Sequence, residues 1–454
     1  MKRTGGFRVV AVILVATCFA GCGKEQQTEP PKVNGGVLAD PETVDALPYW
    51  RSIRQGDVGA YIDQTGKVVL QTDLNVIQTK GAMQLFDFGT EPVARIRHGQ
   101  LLWGLIDRTG KVIVDPRYEG MGLPAFGVVP VQLHGRWGLI DYQGNEVMPI
   151  RYLQIATFSE GLGLVRATPA QATGQWPDND LEKRASELLA KVQDRDPAKR
   201  HMAVQELLKI GDPVFETRAF TETAHGARSK NKNVELGNLL KSITSMGMRY
   251  AKYGYIGPTG DFVIATRFGL ATPFQDGRAC VADGHTRGYI DRDGRLVFHG
   301  WGDGFSSGLA RLIVDGRAVF VDNRGKTAIE PAAGQTFPMP GFSERRARFK
   351  QTGKYGYIDA SGRVVIEAKY ELASNFSDGL AMVSRGRGEN REFAYIDRAG
   401  ELVIHWRKGR WYESFEGGLA LFRDSRGVYK MLNKKGELVY NSGSEILWRG
   451  VNGR

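Results

Sequence analysis

Hydrophobic and polar positions change period twice along this chain. From about residue 50 to 167, and again from about 250 to 440, short runs of β-branched and aromatic residues are separated by glycine-centred turns. One phrase recurs: a bulky residue, often Gly, then Y/L-I-D-x-x-G, a charged residue and a β-branched run. Its nine copies end at Leu70, Val114, Met148, Ile264, Phe298, Ile329, Ile366, Ile404 and Tyr440. Each copy predicts a hairpin. The Asp (Asp63, Asp107, Asp141, Asp291, Asp322, Asp359, Asp397; Asn433 in the last copy) accepts from backbone two residues on, and the Gly three residues later takes a positive φ. In the fourth copy Gly257-Pro258 replaces the Asp, with Pro pre-setting the turn.

A second phrase, aromatic-S/x-D/E/x-G-L-A-x-V, follows at Phe158, Phe274, Phe305, Phe376 and Phe415, and reads as a turn into a third strand. Between the phrases stand Tyr118, Tyr152, Phe268, Trp301, Tyr370 and Trp411, expected to pack between neighbouring units. The fold class is therefore mainly β, an array of about nine antiparallel hairpin or three-strand repeats. Units nearer 35 than 45 residues favour an open, curved array, with β-propeller-like closure as the alternative. The Trp-Gly-x-Ile-Asp-x-x-Gly copies at Trp103 and Trp137, with F-S-x-G-L-A elsewhere, resemble the WG repeat family of bacterial proteins over about 50–167 and 250–440. That resemblance implies an all-β repeat fold and carries no general catalytic activity or shared ligand.

The turn glycines Gly144 and Gly260 are 116 residues apart, and the gap has a different period. Apolar residues spaced three and four apart (Leu188, Leu189, Val192; Met202, Val204, Leu207, Leu208, Ile210) predict two amphipathic helices, the second starting at Asp196-Pro197 and stopping at Gly211. A third covers Val234 to Met246. The second helix resembles a single HEAT-like helical repeat. A helical insertion of this kind sits on one face of an array and caps it or adds a binding surface.

Residues 1–22 open with Lys2 and Arg3, continue in an apolar run from Val9 to Ala20, and end Phe19-Ala20-Gly21-Cys22. The run is shorter than the ~20 residues a spanning helix needs. The pattern is that of an export signal, and its end resembles the bacterial lipobox, with Phe19 in place of the usual Leu. Lipidation and cleavage are expected at Cys22. The polar segment after it, with its Pro and Gly residues, reads as a tether. Two or more acyl chains would anchor the protein stably, and Gly23, where an Asp would favour inner-membrane retention, implies the periplasmic face of the outer membrane if the organism has one. The expected organisation is signal 1–21, tether 22–48, first β block 49–167, helical insertion 168–250, second β block 251–440 and tail 441–454.

Composition adds little to this picture. The net charge of +11 is spread along the chain without the basic stripe that nucleic-acid binding needs, so a nucleic-acid partner is not expected. Only Cys280 lies in the body, which excludes a disulfide framework or a cysteine metal site. The histidines show no HExxH spacing, and neither G-x-S-x-G nor a P-loop occurs. No catalytic residue, metal or cofactor is expected. The densest mixed cluster is Trp406, Arg407, Arg410, Trp411 and Tyr412, where aromatic faces beside cations suit a sugar ring or peptide. The alternative is that its aromatics are core residues of a repeat. The expected function is a non-catalytic, envelope-anchored scaffold. It is held to the membrane by its N-terminal lipid and binds an envelope protein or an anionic cell-surface polymer. A carbohydrate- or peptide-binding module is the first rival, and an enzyme with an unrecognised site the second.

Overall fold

In the recurring hairpin the aspartate satisfies the turn from within. Asp359 Oδ1 accepts from Ser361 N (2.9 Å), Ser361 Oγ (2.6 Å) and Arg363 N (3.1 Å). The backbone closes as Gly362 N donates to Asp359 O and Asp359 N to Arg363 O, both at 2.9 Å. Gly362 has φ +83°, which an L side chain reaches only with strain. The same backbone accepting pattern recurs at Asp63, Asp322 and Asn433. Where Gly257 replaces the Asp, the backbone bonds are kept, and Thr259 Oγ1 donates to Asp261 Oδ2 at 2.9 Å.

The glycine of the Trp-Gly phrase has a different role. Opposite it the strand that follows the turn, Val364–Tyr370 in this copy, bulges, four residues facing two, as Tyr355 pairs with Tyr370 and Tyr357 with Ile366. A Cβ on Gly356 would lie 2.5 Å from Ile366 O, and the equivalent approach at Gly104 is 2.3 Å. These glycines are required because backbone passes over them. In the copy with Ala394 instead, the bulge is one residue smaller, with Phe393 opposite Arg407 and Tyr395 opposite Ile404.

The computed structural model describes residues 47–441 apart from 56–57, 76–82, 99–101, 175–176, 211, 231–233, 285, 409–410 and 425–427. The signal, Cys22, nearly all of the tether, the tail beyond 441 and Arg410 lie outside the described residues. Among these, the strands form nine antiparallel sheets in which sequence neighbours are spatial neighbours. They are taken here as blades 1 to 9, spanning 51–75, 83–118, 120–152, 154–268, 270–299, 309–329, 335–370, 372–408 and 411–441. Seven blades have four strands and blades 1 and 6 have three. The additional strand is often only two residues long, such as Leu372–Ala373, too short to leave a periodic signal. In blade 6 its place is taken by a single Gly302–Leu312 bridge. Trp301 beside it is 37% exposed, with Arg287 5.5 Å from its ring, rather than packed between units. Tyr118, Tyr152, Phe268 and Tyr370 are buried in inter-blade clusters.

Each blade packs on the next through an apolar cluster, and a further cluster joins Ile53, Ala60 and Ile62 of blade 1 to Leu419, Leu421 and Met431 of blade 9. The array is therefore a closed, β-propeller-like ring and not an open curve. Repeat length, which favoured the open form, says nothing about the rotation from blade to blade. That rotation follows from polar contacts between neighbours. In the G-Y-I copies the Tyr is fully buried, and its hydroxyl donates to a carbonyl of the following blade: Tyr255 to Thr272, Tyr289 to Asp303 and Tyr357 to Ser374, each at 2.7 Å. In the F-S-x-G loops the Ser donates to the next loop's Phe carbonyl, as Ser377 does to Phe415 at 2.6 Å. The acid two residues after the Phe accepts from the next loop's backbone: Glu160 from Gly277 (3.0 Å), Asp276 from Gly308 (2.8 Å), Glu344 from Gly379 (2.9 Å) and Asp378 from Gly418 (2.7 Å).

At the seam no described strand is exchanged between blades 9 and 1. Arg51 bridges it instead. Its guanidinium lies 3.5 Å from Glu413 of blade 9 and 3.6 Å from Asp87 of blade 2, with its side chain 12% exposed. Burial works against its charge, and Asp87, with the other acidic groups around it, more than offsets that.

The helical segment interrupts blade 4 between two strands that pair with each other, Ala167 opposite Lys252. It contains α1 (Pro169–Thr173), α2 (Asn179–Lys191), α3 (Pro197–Ile210), α4 (Asp212–Phe215), α5 (Arg218–Lys230) and α6 (Val234–Met248). Helices α2 to α6 share their own apolar cluster, while Ala172 of α1 packs on the cluster between blades 3 and 4. Met202, which the spacing put on the buried face of α3, is 71% exposed, while Ala203 and Leu207 fill that face. The Thr168 cap of α1 and the whole of α5 were not apparent from apolar spacing. Short α1 rests on a Thr168–Gln171 capping box, and α5 is largely polar with Phe220 buried.

Two predictions follow from the turns and the seam. Arg51→Met should lower stability by about 1.5–3 kcal/mol, the cost typical of hydrogen bonds to charged groups. Chemical denaturation checks this, and hydrogen exchange should show blades 9 and 1 opening first. Hydrogen bonds from Ser361 and the following backbone hold the Asp359 carboxyl well below the ordinary carboxylate range, and backbone donors lower Asp322 similarly. Because the folded-state pKa is depressed, this stability is fully present above the unfolded value near 3.8 and is lost as pH falls through the lower folded values. A denaturation series should therefore be less steep below pH 4 in Asp359→Asn than in the wild type.

Candidate functional site

The aromatic and basic residues at 406–412 divide between two inter-blade clusters. Trp406, half-buried, packs at the junction of blades 7 and 8 with Tyr370 6.4 Å away, and the Arg385 guanidinium lies 4.4 Å from its ring centre. Tyr412 is buried at the next junction, stacked on Phe393 (4.7 Å) and Phe422 (5.0 Å). Burial pushes its phenol up to about 12. Arg407 donates from Nη2 to Gly436 O at 3.1 Å. Trp411 lies on the first strand of blade 9. The structure thus brings Trp406 beside a cation, Arg385, that the sequence cluster did not contain, and it separates Trp406 from Tyr412.

A different site forms where the helical insertion docks on the ring. Blades 3 and 4 supply Arg136 and Arg166, from strands Arg136–Asp141 and Leu162–Ala167, and the insertion supplies Phe215, Phe220 and Thr221. Together with His134 and residues of α6 they line a cavity of about 230 Å³. Arg136 is the docking residue. It is buried, its Nη2 donates to Phe215 O at 2.8 Å, its Nε donates to Thr221 Oγ1 at 3.3 Å, and its guanidinium stacks 4.3 Å from the Phe215 ring centre. Burial lowers its pKa, and the nearby Glu216 partly offsets that. Glu216 itself accepts from Thr168 Oγ1 at 2.6 Å, and Gln171 Nε2 donates to Arg151 O at 2.9 Å, so α1 and α4 are fastened beside the same strands.

Two guanidinium nitrogens here, Arg136 Nη1 and Arg166 Nε, are covered and have no acceptor. Arg166 stacks with its guanidinium carbon 5.6 Å from the centre of the Tyr253 ring. No Asp or Glu is among the described lining residues, and the cavity has apolar wall from Leu153, Phe215, Phe220, Ala224 and Met248. The sequence offered no motif for this site, because its residues come from positions 134 to 248 and meet only when the insertion folds back. Among the described residues no group of His, Cys, Asp and Glu is placed to hold a metal ion, and no helix is long and apolar enough to cross a membrane. Cys280 is buried in the cluster between blades 5 and 6.

None of the curated proteins compared with this chain matches it. Among solved structures it is similar to BamB from Moraxella catarrhalis (12% identity, covering 80% of this chain and 92% of that one, TM-score 0.34). It is also similar to apo AztD from Citrobacter koseri (11%, 87% and 94%, TM-score 0.30) and to a eukaryotic initiation factor (8%, 89% and 90%, TM-score 0.37). No function is transferred from these likenesses. The model of the WG containing repeat matches residues 103–137, 137–167, 253–284 and 355–386. Each match begins at the aromatic of the Trp-Gly or Tyr-Gly pair, in the last two strands of one blade, and ends in the following blade. The chain therefore carries WG containing repeats at four places in its ring.

Proposed function

We propose that this chain is a non-catalytic, lipid-anchored ring of the bacterial cell envelope that holds a protein partner, with the helical insertion as its distinguishing surface. The observation that carries the reading is where the recurring polar residues go. The aspartates of the Y-I-D-x-x-G phrase bond their own turns, and the acids two residues after a loop Phe bond the neighbouring blade. No repeated carboxylate pair is left over for acid and base roles. What the repeats do not spend is the surface of the insertion, where Met202 stands 71% exposed and Leu208 36%. Repeat arrays commonly use such a non-repeated element for recognition. Cys22, the lipobox-like ending before it and the tether support envelope anchoring.

Because Ala167 and Lys252 are directly paired, residues 169–250 can be replaced by a two-residue Asn-Gly turn with little chain-closure cost. That variant should keep a cooperatively folding ring while losing an envelope protein that crosslinks to the wild type in its host. Cys22→Ala should abolish labelling by a palmitate analogue and release the protein from membranes. A labelled, folded protein with no crosslinked protein in either form would shift the reading to a cell-surface polymer. Absence of labelling in the wild type would remove the anchor from it.

A further inference from the structure

We infer that the cavity between the ring and the helical insertion binds a small carboxylate with an apolar body, held by Arg136 and Arg166. The site does not depend on the ring having a protein partner.

Charge, donors and shape each contribute to the assignment. Among the described lining residues two carry guanidinium groups and none a carboxylate. Glu216 is an acid whose charge reaches Arg136, and Glu119 Oε2 accepts from Gly135 N of the lining at 3.1 Å, so the guanidinium charges are partly balanced nearby, which suits a monoanion better than a dianion. Arg136 Nη1 and Arg166 Nε are covered from solvent without an acceptor. A buried donor left unbonded costs about 1–3 kcal/mol, and guanidinium donors suit a planar carboxylate. Arg136 also uses its remaining nitrogens on Phe215 O and Thr221 Oγ1, so its plane is fixed before any ligand enters and little ordering remains to be done on binding.

The remaining wall is apolar. Phe215 and Phe220 meet at 5.7 Å between ring centres, and Leu153 and Met248 line the cavity with them. This combination of an apolar body and a few convergent polar groups is the usual composition of a small-molecule site. The volume of about 230 Å³ is below the roughly 300–1,000 Å³ typical of drug-sized ligands. It limits the occupant to something the size of benzoate or a medium-chain fatty acid.

The test uses the full chain in detergent micelles, titrated calorimetrically with sodium benzoate, octanoate, benzyl alcohol and inorganic phosphate. Benzoate or octanoate should saturate one site at a Kd of about 1 mM or tighter, the range open to so small a ligand. Benzyl alcohol and phosphate should each bind at least tenfold more weakly. Arg166→Gln should weaken the carboxylate at least tenfold while leaving the thermal midpoint in place, because the docking bonds of Arg136 are intact. Thr244→Trp, which fills the cavity from α6, should abolish binding. If that variant unfolds the insertion, Arg166→Gln alone decides. Absence of saturation up to about 10 mM, or equal affinity in Arg166→Gln, would overturn the assignment. Phosphate binding as tightly as the carboxylate, and depending equally on Arg166, would overturn the choice of ligand.

Discussion

The junction between one blade and the next is the interaction on which this structure depends. A single four-stranded sheet of this size has two apolar faces and cannot bury both by itself. Here each junction combines an apolar cluster with a small set of hydrogen bonds whose donors and acceptors are spelled out in the repeat. The buried Tyr hydroxyl, the Ser of the F-S-x-G loop and the acid two residues after its Phe all reach into the neighbour. A hydrogen bond of this kind contributes only about 0.5–1.5 kcal/mol net, less than the apolar burial around it. Its direction is fixed, however, whereas apolar contact tolerates sliding. The clusters hold the blades together and the hydrogen bonds set the angle between them.

That division of labour explains which features were readable in advance. The hairpin turns were legible to the residue, because an Asx-type turn ending in a positive-φ Gly is a local device with local chemistry, as at Asp359 and Gly362. The inter-blade aromatics Tyr118, Tyr152, Phe268 and Tyr370 were legible because they recur in phase. Closure was not legible. It depends on the sum of nine rotations and on a seam made by Arg51, a residue that belongs to no repeated phrase. Trp301 misled because its blade lacks the strand that would cover it.

The site at the insertion was the least accessible to sequence reasoning. Arg136 stands just before a Trp-Gly pair and reads as one more solvated cation on a hairpin. Its hydrogen-bond partners, Phe215 and Thr221, come about eighty positions later. The helical periodicity that announced the insertion carried no information about which side of it would meet the ring. The cluster at 406–412 shows the converse. Its density in sequence came from two successive junctions, each needing an aromatic, so Trp406 and Tyr412 are close in number and separate in packing.

The four family matches run out of phase with the blades, each starting in one sheet and finishing in the next. A tandem duplication of such a segment would deliver a matched pair of mating surfaces already joined, so the newcomer could be spliced between existing neighbours without any compensating mutation. Blade number would then be evolutionarily cheap to change, and selection on a ring of this type would fall chiefly on the one contact that duplication does not copy, the meeting of its two ends.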